Sequence, residues 1–499
     1  MSLIHTLAHH AAERPDSIAI CSRAESLTYA ALYDRARLLA NRLRRHCVGV
    51  LAIAADNSMD WPIIDIGARI AGTALVPLPL FFSPEQLQHV LRDSGATAIA
   101  LDSAAAPLAT RLDAQAVGTL THDIGLWRLW RPGARRVPTS IAKISYTSGT
   151  TGAPKGVCLD QDTQDRVAKS LCAATESIEI DRHLCLLPLA TLLENIAGVY
   201  APILRGATIA LPSLSETGLH GASNLDIVAL LACLEREQPQ SIIVLPQMLA
   251  ALVAAVEGGA RLPSTLRFIA VGGGCVARTL LERADRLGLP VYEGYGLTEC
   301  ASVVALNTPE ARRIGSVGRP LRHAQVRIDD RGEIFVAGAV MSGYLSDAES
   351  GHAPPSEIAT GDLGHLDSDG YLHITGRRKN VFITSFGRNV SPEWVEAALA
   401  GTASIAQAAL FGEARPWNVA VIVPGSRDDR NARLVHDIER TNADLPGYAR
   451  VHRWILADEP FTTTNGLLTA NGRIRRSAVW ARYGARIDAC YNALVDACA

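Results

Sequence analysis

Short apolar runs alternate with amphipathic stretches over most of the chain, and no other feature constrains its fold as strongly. The stretch opening at Leu27-Thr28-Tyr29 puts Ala30, Leu32, Ala36, Leu39 and Leu43 on one face and arginines on the other, the pattern of an amphipathic helix. Residues 48–54 are an apolar run fit for a buried parallel strand, 61–71 read as the next helix and 73–78 as the next strand. Ser83 caps a further helix whose first residue is Pro84, a common start signal, and 97–101 is another strand. The alternation resumes with strands at 184–189, 206–211, 241–245 and 266–271 and helices at 192–204, 224–238 and 246–257. Such order predicts doubly wound parallel sheets, which bind ligands beyond the carboxyl ends of their strands. From 315 to 344 short alternating strands with turns predict a small antiparallel barrel, and the remainder reads as a small α+β unit.

Composition narrows the function classes. The net charge of -2 offers no basic surplus for a nucleic-acid partner. Ten cysteines show no CxxC pair and no histidine at metal-ligand spacing, so they read as small buried residues of a reducing compartment. The N-terminus lacks the apolar core of a signal peptide. The most apolar window, 242–256, is broken by Pro246 and Gln247 and is too short to span a bilayer. These features predict a cytoplasmic protein with no membrane span. Of the 48 basic residues only Lys143, Lys155, Lys169 and Lys379 are lysine, so each stands out.

Chemistry concentrates in a few loops that follow strands. In the run 144–156, Tyr146 leads into Thr147, Ser148, Gly149, Thr150, Thr151 and Gly152, and then Lys155. Glycines admit tight turns, successive amide N–H groups form an anion nest, and hydroxyls and an ammonium add donors. That suits the phosphates of a nucleotide, although no Ser or Thr follows Lys155 as a GxxxxGK[ST] loop requires. The strand at 266–271 ends in Gly272, Gly273 and Gly274, where bare backbone leaves room for a flat ligand. Glu293-Gly294-Tyr295-Gly296-Leu297-Thr298-Glu299 offers an aromatic face, a hydroxyl and an acid able to hold Mg²⁺. Asp362 can accept from both hydroxyls of a ribose, and Arg377 can donate to the same sugar. Asp367 and Asp369, beside Gly370, read as turn acids.

Taken in order, these motifs resemble the adenylate-forming superfamily, which includes acyl- and aryl-CoA synthetases, luciferases and nonribosomal adenylation domains, and they stand nearest the acyl-CoA synthetases of the fatty-acid type. The resemblance implies a large N-terminal AMP-binding domain (1–378) of two doubly wound subdomains plus a small β-barrel, followed by a small mobile C-terminal lid domain (379–499). It implies ATP and Mg²⁺ as cofactors. Tyr295 would stack on adenine, Thr298 would contact the α-phosphate, Glu299 would reach the metal, and Lys379 would be the hinge. Gly387, within Ser385-Phe386-Gly387-Arg388, matches the loop that lines the thiol tunnel.

One departure concerns the C-terminal lysine that bridges carboxylate and α-phosphate in such enzymes: the register of TTTNGLLTANGRIRR puts Arg473 there. A guanidinium can bridge two anions, but it is bulkier than an ammonium. A degenerate protein that binds nucleotide or acyl-adenylate without turnover therefore stays open beside a working ligase. For the acid, the stretch 188–195 resembles "PLAH.FE" with Thr191 in place of the histidine, and Glu293 is the fatty-acyl-type residue. Ala190, Thr191, Glu194, Cys275 and Ala301 are expected to line an apolar slot for a carboxylic acid, fatty or aryl. The acceptor is CoA or the phosphopantetheine of an acyl carrier protein, and the absence of an insertion in 378–400 favours CoA.

Overall fold

The structure is a computed structural model that describes residues 1–129, 137–147, 154–220, 224–347, 353–425, 432–469 and 472–492. It is a mixed α/β protein with a large N-terminal and a small C-terminal domain. Two sheets, of eight and nine strands, dominate the large domain. The eight-stranded sheet has a parallel centre built from Val50–Ala54, Ala74–Pro77, Ala98–Leu101 and Ile141–Thr147. The nine-stranded sheet has a parallel centre that runs from Val291–Leu297 through Phe268–Val271 and Ser241–Val244 to Arg182–Leu184. Val50–Ala54 is buried at every position, as expected of a strand covered on both faces.

Local signals explain most helix starts. Thr28 accepts from the Ala31 amide at the head of Tyr29–Arg45. Ser83 and Gln86 form a reciprocal capping box ahead of Pro84–Asp93. Tyr29–Arg45 buries Leu32, Ala36, Leu39 and Leu43, the face read from the sequence. Three segments of the parallel layers differ from their expectation, the helix expected at 224–238 among them: it is Ile227–Glu237, preceded by a short strand Asn224–Leu225. The strand expected at 184–189 is Arg182–Leu184; beyond it the Leu187 and Leu189 amides donate to the side chains of Glu194 and Asn57 instead of a ladder. The helix expected at 192–204 is a π-helix, Glu194–Tyr200, followed by the α-helix Ala201–Arg205. Pro202 has no N–H to give the Gly198 carbonyl, and the Cys185 thiol donates to it at 3.5 Å.

The antiparallel unit anticipated as a small barrel is a four-stranded sheet of Ala324–Ile328, Glu333–Gly338, Glu357–Leu366 and Leu372–Arg377, in that order. The C-terminal domain holds a three-stranded sheet of Ile405–Phe411, Asn418–Pro424 and Val451–Leu456. Its alternation builds two cores. Ala408, Leu410, Ala420 and Ile422 face one side, and Ala409, Val419, Val421 and Val423 face the other, beside Tyr483 and Ile487. Among the described residues no helix is long and apolar enough to cross a membrane.

A buried ionic cluster ties the two large sheets together. Lys143 donates to Asp65, Asn195 and Tyr200, and Asp65 also accepts from Asn195 (2.8 Å) and Tyr200 (2.7 Å). All four side chains are buried, and burial pulls the Lys143 ammonium down to about 8 against the attraction of Asp65. Removing one partner of such a pair leaves a bare buried charge, which costs about 3–5 kcal/mol. Asp65→Ala is therefore expected to lower the thermal unfolding midpoint sharply in differential scanning calorimetry; an unchanged midpoint would contradict the cluster's structural role.

Candidate active site

The segment expected to hold phosphates falls in the chain between two paired strands. Ile141–Thr147 and Lys155–Asp160 pair antiparallel, so Thr147 and Lys155 lie directly opposite each other. Ser148, Gly149, Thr150, Thr151 and Gly152 lie outside the described residues. Lys155 is exposed, and its ammonium sits 5.5 Å from the centre of the Tyr344 ring.

The hairpin of Val291–Leu297 and Ser302–Leu306 carries the next group of residues. Its bend is tight: a Cβ at Gly296 would lie 1.7 Å from the Ser302 carbonyl oxygen. Just after the one-turn helix Thr298–Cys300, Ala301 and Ser302 take φ of 51° and 97°. Non-glycine residues in such conformations mark strained, over-determined backbone, often at functional sites. The bend projects Thr298 and Glu299, both half-buried, and the Glu299 carboxylate accepts from Tyr344 Oη at 3.0 Å.

Two neighbouring elements complete this wall. Asp362 and Arg377 are cross-strand partners. Arg377 Nε lies 2.7 Å from one Asp362 oxygen, and Tyr295 Oη donates to the other at 2.6 Å. The residues expected to hold adenine and ribose thus touch directly. Gly272 packs against the Gly294 backbone, where an added Cβ would meet the carbonyl oxygen at 3.2 Å, while Gly273 (φ 79°) and Gly274 are exposed.

Arg473 lies in the C-terminal domain, close enough to this wall to feel its charges. The turn before it closes through Thr469, whose hydroxyl accepts from the Arg473 amide at 3.0 Å. A Cβ on Gly472 would lie 3.8 Å from Gln247 of the large domain. Arg473 is exposed to solvent. Desolvation and then the Arg377 charge depress its pKa, while Asp362, Glu299 and Glu393 pull it back up. The guanidinium therefore lies within the field of the groups that would handle nucleotide and metal. Lys379 is exposed in the turn that follows Leu372–Arg377, and Gly387 (φ 69°) sits exposed at the tip of the C-terminal hairpin Phe382–Ile383 and Asn389–Val390.

The residues expected to line the acyl slot do not all face one space. Ala190 and Thr191 are half-buried, Cys275 is exposed, and Ala301 is fully buried. Glu194 turns into the core, where His183 Nε2 lies 3.2 Å from its carboxylate and the Leu187 amide donates to it at 3.3 Å. A Cβ at Gly198 would strike that carboxylate at 2.4 Å, so the glycine makes room for the inward turn. The sequence reading missed Asn57, which grips the Leu187 carbonyl and the Leu189 amide at 2.9 and 2.8 Å. It also missed Tyr344, whose one sequence signal is the preceding Gly343.

Two family models match the chain: that of the AMP-binding enzymes over residues 7–345 and that of the AMP-binding enzyme C-terminal domain over 379–495. The chain belongs to the AMP-binding enzyme family. It is 27% identical to a 2-succinylbenzoate–CoA ligase of Bacillus subtilis over 81% of this chain and 84% of that protein. A long-chain-fatty-acid–CoA ligase of Mycobacterium bovis is also 27% identical, over 91% of each chain. Among solved structures, the Bacillus subtilis o-succinylbenzoate–CoA synthetase in complex with ATP and magnesium superposes with a TM-score of 0.75 at 25% identity, covering 95% of this chain and 98% of that one. The protein is an enzyme of this AMP-forming class.

The donor set fits MgATP: an acid at Glu299, cations at Lys155 and Arg473, and an acid–base pair at Asp362 and Arg377. Glu293 adds a titration that stability can report. It is buried, and desolvation raises its carboxyl from 4.5 to about 8. The folded state keeps this proton between those values, so the stabilisation is fully present below pH 4.5 and is lost as pH rises through 8. Glu293→Gln, neutral throughout, should match the wild-type thermal midpoint in acid and exceed it above pH 8, by as much as ~4–5 kcal/mol in stability. Equal midpoints at high pH would contradict the shift.

Proposed function

We propose that this enzyme joins a carboxylic acid to AMP with release of pyrophosphate and then passes the acyl group to the thiol of CoA. What supports this reading is that Glu299, Asp362 and Arg377 of the large domain all act on the charge of Arg473 from the small one, while Lys155 and Glu299 both border Tyr344 and Thr298 precedes Glu299 in the same bend. A carboxylate is a poor acylating agent because its leaving group would be oxide, and AMP supplies a better one. The attack gathers negative charge at the α-phosphate, which fixed charges and donors stabilise without reorganising.

In this reading Asp362 and Arg377 receive the ribose, and Tyr295, its hydroxyl already tied to Asp362, offers its ring to adenine. Glu299 holds the magnesium that arrives with ATP. Lys155 and the loop 147–152 neutralise the departing pyrophosphate. Thr298 and Arg473 hold the α-phosphate and the acid's carboxylate, the guanidinium bridging both. Turning the C-terminal domain (379–499) about Lys379 then withdraws Arg473 and brings the Gly387 hairpin toward the cleft to guide the thiol.

For the acid, Glu293 and the Ala190–Thr191 segment support an apolar substrate, with a fatty acid as the first choice. The inward turn of Glu194 removes one residue shared with the fatty-acyl pattern, and together with the 2-succinylbenzoate ligases among the relatives it supports an aryl acid as the second. The test is pyrophosphate release with MgATP across fatty, aryl, hydroxylated and amino acids, with and without CoA. Release that depends on one acid class and rises with CoA is expected. Release indifferent to CoA would redirect the acceptor to a carrier protein, and silence with ATP still bound would replace the ligase with a binding protein.

Arg473→Ala should lower adenylation by about 10²–10³, the usual cost of losing one transition-state donor, whereas Arg473→Lys should stay within about tenfold of wild type. Full activity in the alanine variant would remove Arg473 from the chemistry.

A further inference from the structure

Lys155 and Glu299 carry opposite charges, face one open cleft and border the same side chain, yet among the described residues they form no ion pair with each other. Tyr344 stands between them. Its hydroxyl donates to Glu299 Oε1 at 3.0 Å, and its ring lies under the Lys155 ammonium at 5.5 Å. Each charge thus has a different part of one tyrosine as partner: a phenol O–H for the acid and a π face for the cation.

The backbone around Tyr344 leaves it little freedom. Gly343 and Tyr344 pair with Cys158 and Val157 of the strand that begins at Lys155. The Ser342 and Leu345 amides donate to the carbonyls of Cys158 and Gly156, each at 2.8 Å. On the other flank the Met341 amide donates to the Glu299 carbonyl at 2.7 Å. One five-residue segment is therefore stitched both to the strand that carries Lys155 and to the turn that carries Glu299. Leu345, fully buried, anchors its end, and Gly343 takes a φ of 131° that a side chain would disfavour.

We propose that Tyr344 is a positioning residue that keeps Lys155 and Glu299 from neutralising each other and so holds the site ready for MgATP. The hydroxyl fixes the Glu299 carboxylate through Oε1, and Glu299 would hold the metal that arrives with ATP. The ring attracts the ammonium without taking any of its three N–H donors, which stay available for phosphate. This inference rests on the nucleotide-and-metal reading of the site given above.

The test is Tyr344→Phe, which keeps the ring and packing and loses only the hydroxyl, alongside Tyr344→Leu, which loses the π face as well. ATP binding is measured by calorimetry with and without Mg²⁺, and pyrophosphate release is titrated with Mg²⁺. The phenylalanine variant should keep the wild-type thermal midpoint and Mg²⁺-free ATP affinity, while needing about tenfold more Mg²⁺ for tight binding and for release. The leucine variant should also weaken Mg²⁺-free ATP binding. Wild-type Mg²⁺ dependence in the phenylalanine variant would overturn the proposal, as would a loss of equal size with and without Mg²⁺. Wild-type protein that releases no pyrophosphate but shows this Mg²⁺ coupling in binding would sink the ligase reading and leave the role of Tyr344 standing. Wild-type protein that binds no ATP would overturn both.

Discussion

The Lys143 ammonium, sealed among Asp65, Asn195 and Tyr200, connects three elements that the chain supplies far apart: the helix Asp60–Ala71, the strand Ile141–Thr147 and the π-helix Glu194–Tyr200. The strand runs straight into the loop expected to hold phosphates. The π-helix follows the segment expected to face the acid. A buried ionic group is a weak source of net stability, because desolvation consumes much of the Coulomb attraction. Its effect here is geometric: the charge has one satisfactory arrangement, and that arrangement fixes the strand Ile141–Thr147 against the helix Asp60–Ala71 and the π-helix Glu194–Tyr200. Arg69 extends the cluster, with its guanidinium over the Tyr200 ring and a 2.5 Å ion pair to Asp165, which in turn accepts from the Leu3 amide.

The cleft itself follows a different rule. Each of its charges has a fixed partner: Glu299 and Lys155 share Tyr344, Asp362 is held between Tyr295 and its ion-pair partner Arg377, and Arg473 feels Arg377 as a like charge and three acids as opposite ones. Charges fixed before the substrate arrives need no reorganisation during the reaction, and this is the main electrostatic advantage of an enzyme site over water. The strained pair Ala301 and Ser302 lies directly behind Glu299, where backbone has been bent to aim a side chain.

The departure at Arg473 looks less disabling in three dimensions than in the sequence. A shift of register by a residue or two would have carried it away from the nucleotide groups. The turn is closed by Thr469, with Gly472 beside Gln247 of the large domain, and the guanidinium feels the charges of Asp362 and Glu299. In a chain with four lysines, an arginine at this position also fits the general composition.

The sequence by itself determined the parallel sheets, most helix boundaries and the family. Period, caps and glycine motifs are local, and they act through backbone propensity and burial that neighbours in the chain can signal. It also named Tyr295, Asp362 and Arg377, which the fold brings into contact. Only the tertiary structure decided which side chains meet across long separations. Glu194 belongs to a buried pair with His183 because Gly198 leaves room for it, and the expected α-helix is a π-helix up to Tyr200. Asn57 grips a segment some 130 residues away in the chain. Tyr344 comes between Lys155 and Glu299 through an antiparallel pairing that no local pattern marks. Strand pairing between distant segments depends on the packing of whole layers, and that information is spread over the chain.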